Sequence, residues 1–206
     1  MKHAALGFRM HSGWGGLVAI SADDNSVDVV ARRRIVTADP KIPGAKQPYH
    51  YASSLKLSAA EEYLAKCAAA SESLAFEAIG DVVRELEGRD YRLLGSAVLL
   101  AAGRPLPSLA KVLTAHSLIH TAEGEFFRNA VRRACERSKI SVTTIREREL
   151  DEQIEIAWGD AANQLQRRVA NLGSSIGPPW TKDYKLATLA AAAILGVAEK
   201  VRENPR

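Results

Sequence analysis

The stretch that most restricts this chain is residues 91–102, YRLLGSAVLLAA. After Arg92 it carries no charge, and the GRPLP that follows brings it to an end. A strand with one face in water alternates apolar and polar side chains. A continuous apolar run is expected of a strand covered on both faces. This strand therefore calls for helices on each side of its sheet.

The flanking sequence supplies them. Residues 4–10 and 16–21 are apolar runs around SGWGG, and residues 27–37, VDVVARRRIVT, are rich in β-branched side chains. ADDN between the last two is a turn signal, because Asp and Asn accept tight-turn dihedrals. These runs predict three antiparallel strands in a meander. Residues 38–57 hold three prolines and one glycine and predict a long loop. Its length points to function or mobility. Ser58, with Glu61 three residues on, has the pattern of a capping box. Leu64, Ala68, Ser71, Ala75, Ile79, Val82 and Leu86 then recur at helical spacing to about residue 87. Beyond the central strand, a helical region at 108–138, a strand at 140–147 and helices at 151–171 and 181–202 complete the order β-β-β-α-β-α-β-α-α. That order predicts an α/β fold with a mixed sheet and helices on both faces. No linker separates two cores, so residues 1–206 are expected to form a single domain.

Composition limits the function classes. Hydrophobic residues are 47% of the 206 and charged residues 25%, enough for a core without disulfide or metal staples. Cys67 and Cys135 lie alone in helix-like stretches and are expected to be buried apolar thiols. The opening MKHAALGFRM has no run fit for a signal peptide, and KLATLAAAAILGVAEK is bounded by charge and too short for a bilayer span. A cytoplasmic protein with no membrane contact is expected. The net charge is +4, and residues 1–57 carry the excess, with eight Lys/Arg against four Asp. This bias favours an anionic partner without identifying one.

The element order resembles the ribonuclease H-like superfamily, and most of all its Holliday-junction resolvase (RuvC-type) branch. LGFRMHSGWGGLVAI is similar to that branch's opening strand, glycine turn and strand. WTKDYKLATLAAAAIL resembles its last helix, with an acid near the start. The resemblance implies two divalent metals held by carboxylates from the first strand, a central strand and the last helix, clamping the attacking and leaving oxygens. This sequence departs from that pattern. Arg9 stands at the first-strand acid position, the central strand has no Asp or Glu, and Asp183 alone remains. A guanidinium repels a dication at close range. Two-metal nuclease activity is therefore not expected.

Several groups are candidates for binding. Ser12, Gly13, Trp14 and Gly15, with Arg9 and His11 before them, could form an anion nest of backbone amides, or simply a hairpin turn. This is not a Walker or dinucleotide fingerprint. Alternation along Arg32, Arg33 and Arg34 sends Arg33 to one face and its neighbours to the other. A solvated edge strand is the plainer reading and an anion site the sharper one. His50, between Tyr49 and Tyr51, ends the long loop. Arg104 sits just beyond the central strand, where open α/β sheets bind ligands. His116 and His120 are four apart, and Glu123 continues their helical face. Two imidazoles and a carboxylate suit a transition metal or acid–base work. However, Thr121, Glu123 and Gly124 look like a helix break. The plainer expectation is histidines packed near a helix junction, with no metal, cofactor or catalytic residue assigned. The acids of RERELDEQ are read as a helix start.

Two functions remain. The leading one is a non-catalytic ribonuclease H-like binding module, with a nucleic acid or other phosphate-bearing ligand as its partner class. The rival is a small hydrolase or transferase acting on an anionic substrate through His116, His120 and Glu123. Convergence of His11, His50 and His116 or His120 in one cleft would favour the rival.

Overall fold

In a computed structural model, residues 2–23, 26–101 and 105–203 are described. The first three strands are β1 (Lys2–His11), β2 (Trp14–Asp23) and β3 (Ser26–Val36). They pair antiparallel in sequence order, as the β-branched runs and turn signals predict. β4 (Tyr91–Leu100) and β5 (Val142–Arg146) lie parallel to β1, giving the sheet order β3-β2-β1-β4-β5. The central run is therefore an interior strand. Val98 faces one core, and Ala97 and Leu99 face the other.

On one face pack α2 (Leu57–Glu87) and α4 (His116–Arg137), with Ile79, Val82, Phe127 and Val131 among the buried side chains. On the other pack α5 (Leu150–Trp158), α6 (Ala162–Asn171) and α8 (Lys182–Glu203). Three short helices, α1 (Pro48–Ala52), α3 (Leu109–Leu113) and α7 (Gly173–Ile176), lie between the longer elements. Among the described residues, no helix is long and apolar enough to cross a membrane.

β1 shows how the two layers divide. Ala4, Leu6, Phe8 and Met10 enter the α2/α4 core, while Ala5 enters the α8 core. Gly7 lies on the α8 side, and a Cβ there would stand 1.8 Å from the Ala187 carbonyl oxygen. The missing side chain is what lets the helix backbone approach the strand. Ala187, Ala190 and Ala191 on α8 are fully buried, so small residues on both partners make the close packing.

Four local expectations are corrected. The long loop contains a helical turn, α1, with Pro48 at its start, where a missing N–H costs nothing. The capping box does not form. The first helical bond runs from Ala60 N to Lys56 O, so Lys56 is the N-cap and Ser58 lies inside α2. The helix expected at 151–171 is split, because Gly159 adopts φ +54 and ends α5. The break expected near Thr121–Gly124 falls earlier, at Thr114 and Ala115, and α4 runs unbroken through Gly124. Thr121 Oγ1 donates to the Ser117 carbonyl, 3.0 Å away, within the helix. Gly124 leaves room for the Arg128 guanidinium beside it.

Candidate functional site

The carboxyl ends of β1, β4 and β5 gather two clusters of chemistry-bearing side chains. The first is built around Arg9. Its side chain emerges from β1 on the α8 face, where Gly7 admits the helix and brings Asp183, in the first turn of α8, within reach. Arg9 Nη1 donates to Asp183 Oδ1. Its Nε and Nη2 donate to Glu147 Oε2 and Oε1, at 3.2 and 3.3 Å. Glu147 opens the 3-10 turn that follows β5. Arg9 and Asp183 are largely enclosed, with side-chain exposures of 19% and 18%.

His11, two residues along β1, has Nε2 2.7 Å from Asp183 Oδ1 and 3.0 Å from Arg9 Nη1. The carboxylate only accepts and the guanidinium only donates, so Nε2 either donates to Asp183 or accepts from Arg9, according to its tautomer. Lys182 Nζ lies 3.8 Å from Glu147 Oε1. Burial alone works against the charge on Arg9, but Glu147 and Asp183 outweigh it and raise its pKa. Burial likewise opposes the charge on Asp183, yet His11 and Arg9 reverse the sign and hold it below the usual aspartate range.

The glycine turn is tied into the sheet. Gly13 has φ +78, and its carbonyl accepts from the backbone N–H groups of Thr37 and Ala38 at 2.9 and 3.2 Å. Trp14 and Gly15 belong to β2, paired with β1 on one side and β3 on the other. Ser12 is the exposed residue of the turn. Trp14 stacks on His11, with centroids 4.5 Å apart and planes 21° apart. The exposed Arg34 guanidinium lies 3.8 Å from the Trp14 ring centroid. Arg32, on the same face, donates to the carbonyls of Gly177 and Pro179. Arg33 turns to the opposite face and pairs with Glu85 on α2. The alternation read from the sequence thus separates a structural arginine, a helix-paired one and one that stacks at the surface.

The second cluster joins α1 to the start of α4. His50 stands in α1; His116 and His120 stand one turn apart on the now continuous α4. One ring nitrogen from each of these three lies within 4.8 Å of the others, close enough that the group could hold a metal ion. The ring centroids of His50 are 5.3 Å from His116 and 4.8 Å from His120. Glu123 is 2% exposed and accepts from the His50 backbone N–H at 3.2 Å and from Nδ1 at 2.8 Å. Three of the four candidate histidines therefore meet, while His11 belongs to the Arg9 cluster. Arg104 lies outside the described residues.

A cavity of about 560 Å³ adjoins the histidine cluster, lined by His120, Glu125, Arg128 and Arg146 and by Leu100 at the end of β4. This is the crevice beyond the strand ends where open α/β sheets take ligands. Sequence reading missed Glu147, Arg128 and Arg146, whereas it weighs Arg34 with Arg32 and Arg33 as an edge strand or an anion site. Glu147 read only as part of an acidic helix start, and its place beside Arg9 follows from β5 lying parallel to β1 through β4.

No model of a protein family matches the sequence, and no curated protein sequence matches it. Solved structures do share its architecture. The structure of T. thermophilus RuvC in complex with Holliday junction substrate is 13% identical, with 96% of each chain covered and a TM-score of 0.53. The Thermus thermophilus RuvC structure is 14% identical, with the same coverage and a TM-score of 0.52. The fold is therefore the RuvC-type, ribonuclease H-like one that the element order resembles.

Proposed function

We propose that this chain is a binding module on a RuvC-type scaffold, without nuclease activity, that engages nucleic acid or another phosphate-bearing partner. The observation that carries the reading is the Arg9 guanidinium held between Asp183 and Glu147. With Lys182 beside Glu147, two carboxylates already face two cations. A dication placed there would have to displace a strand-borne arginine and would meet its repulsion. β4 adds no acid at its carboxyl end, since it closes on Leu99 and Leu100.

The partner class rests on charge and planar surface. Arg34, Trp14 and His11 form a stack at one end of the sheet, and stacked aromatic and guanidinium groups suit nucleic-acid bases. The RuvC structure bound to a junction makes branched DNA the first ligand to try. The test pairs binding with cleavage. Labelled four-way junction, duplex and single strand are offered to purified protein with magnesium or manganese. Salt-sensitive binding without cleavage is the expected result. Metal-dependent cleavage that disappears in Asp183→Ala would overturn it.

A second reading, a hydrolase or transferase for an anionic substrate, is supported by the convergence of His50, His116, His120 and Glu123 beside the arginine-lined cavity. Turnover of phosphate or carboxylate esters that is lost in His50→Ala would favour it over the binding module.

A further inference from the structure

We propose that His50, His116 and His120 form a binding site for a transition-metal dication of the zinc class. The inference is separate from the binding-module reading, which draws on Arg34 and Trp14, and it does not require turnover.

Glu123 makes the strongest case. A carboxylate with 2% exposure must be paired, and both of its described partners belong to His50. The contact to Nδ1 requires that nitrogen to donate, because the carboxylate has no proton to give. The His50 tautomer is thereby fixed, with the Nε2 lone pair turned outward. A carboxylate that orients a histidine in this way is the usual outer support of a metal-bound imidazole.

The outward nitrogen meets a second one. His50 Nε2 and His116 Nε2 are 3.4 Å apart. Two nitrogens bound to one tetrahedral zinc ion at the usual bond length are separated by about 3.4 Å. His120, one turn further along α4, completes a group whose ligating atoms span no more than 4.8 Å. His116 and His120 are exposed, so an ion has an entry path and both rings are free to close on it. The N-terminal end of α4 opposes a cation with roughly half a unit charge, which the full charge on buried Glu123 exceeds.

Ligand chemistry selects the metal. Three imidazoles without a thiolate suit zinc, cobalt, nickel or copper, and not magnesium or calcium, which prefer oxygen. Three ligands leave a fourth position for water or an anion. His120 also lines the cavity that holds Arg128 and Arg146, of which Arg128 is paired with Glu125 and Arg146 with Glu149.

The experiment uses the full chain without a histidine tag, stripped by chelator. Zinc chloride is titrated by calorimetry, and cobalt chloride by visible absorption. One ion per chain is expected, at micromolar affinity or tighter, with the cobalt spectrum of a four-coordinate ion. The exposed variants His116→Ala and His120→Ala should each abolish stoichiometric binding while keeping the wild-type circular dichroism. Glu123→Gln should weaken binding by about 10- to 100-fold, the range seen when an outer partner of a metal ligand is lost. Absence of saturable binding, or binding retained by either histidine variant, overturns the site. Either failure would leave oligonucleotide binding through Arg34 unaffected, so the two proposals fail separately.

Discussion

Arg9 Nη1 donates to Oδ1 of Asp183, joining the carboxyl end of β1 to the first turn of α8 across 174 residues of sequence. The pair ties the last helix to the sheet. It also defines how stability should respond to acid. The folded-state pKa of Asp183 is lowered from its ordinary value of 3.8. A depressed carboxyl stabilises the fold above its unfolded pKa and loses that contribution as pH falls through the folded value. Wild-type stability should therefore hold from neutrality down to about pH 4 and then fall. Asp183→Asn should cost about 1–3 kcal/mol at pH 7, because Arg9 loses a charged acceptor in an enclosed place. The variant should also lose less stability than wild type below pH 4. Urea melts across pH 2–7 measure both, and parallel curves for the two proteins would contradict the assignment.

Gly7 makes that pairing sterically feasible. A Cβ at this position would lie 1.8 Å from one backbone oxygen and 2.8 Å from the carbonyl carbon of Ala187. Neither atom can turn aside as a side chain would. Gly7→Ala should therefore force α8 from β1 and cost about 1–3 kcal/mol or more. Gly80 on α2 provides the contrast, since its added Cβ would meet only the end of Arg84, at 3.2 Å. Gly80→Ala should gain about 0.5–1 kcal/mol from helix propensity. In a chain of this length, each kcal/mol moves the melting temperature by roughly 2–4 °C, so opposite shifts are readable in one calorimeter series.

The fold was legible because its signals are local or periodic. The apolar run of β4, the ADDN turn signal and the helical spacing of α2 each declare an element without knowledge of its neighbours. The alternation of β1 also placed Arg9 opposite Leu6, Phe8 and Met10. What stayed hidden is non-local. Glu147 has the same appearance as any acid at a helix start until β5 is set parallel to β1. The continuity of α4 was obscured because Gly124 reads as a breaker, whereas its role is to make space for Arg128. Once the helix is unbroken, the spacing of His116, His120 and Glu123 holds. The arrival of His50 depends on a turn of helix inside a proline-rich loop.

The two thiols should be inert in the native protein. Burial pushes the Cys135 thiol up to about 12, with Glu136 adding to the shift and a Ser96 hydrogen bond opposing it. Cys67 is raised as well, again first by burial. Thiolate, not thiol, attacks disulfide reagents, and neither side chain presents it to solvent. Reaction with Ellman's reagent at pH 8 should be negligible until denaturant is added, when two thiols per chain should appear. Prompt release in native buffer would show that one of the helices α2 and α4 opens readily.

The surface stack of Arg34, Trp14 and His11 gives the sharpest test of ligand binding. Arg9 is poorly suited to greet an anion, because Glu147 and Asp183 already hold its guanidinium. Arg34 is exposed and lies over Trp14, with its charge free to reach solvent. If this end of the sheet meets phosphate, Arg34→Ala should weaken oligonucleotide binding by about tenfold, the worth of one charge-assisted hydrogen bond. It should also reduce the slope of log affinity against log salt by about one. Trp14→Ala should weaken binding by a different route. It removes a stacking surface worth about 1–3 kcal/mol per base and leaves the salt slope nearly unchanged. Arg9→Ala, by contrast, should act mainly on thermal stability. Fluorescence anisotropy with labelled junction, duplex and single-stranded DNA across a range of potassium chloride separates these effects. Binding indifferent to both Arg34 and Trp14 would remove this surface as the contact, and absence of binding to all three DNAs would remove nucleic acid as the partner.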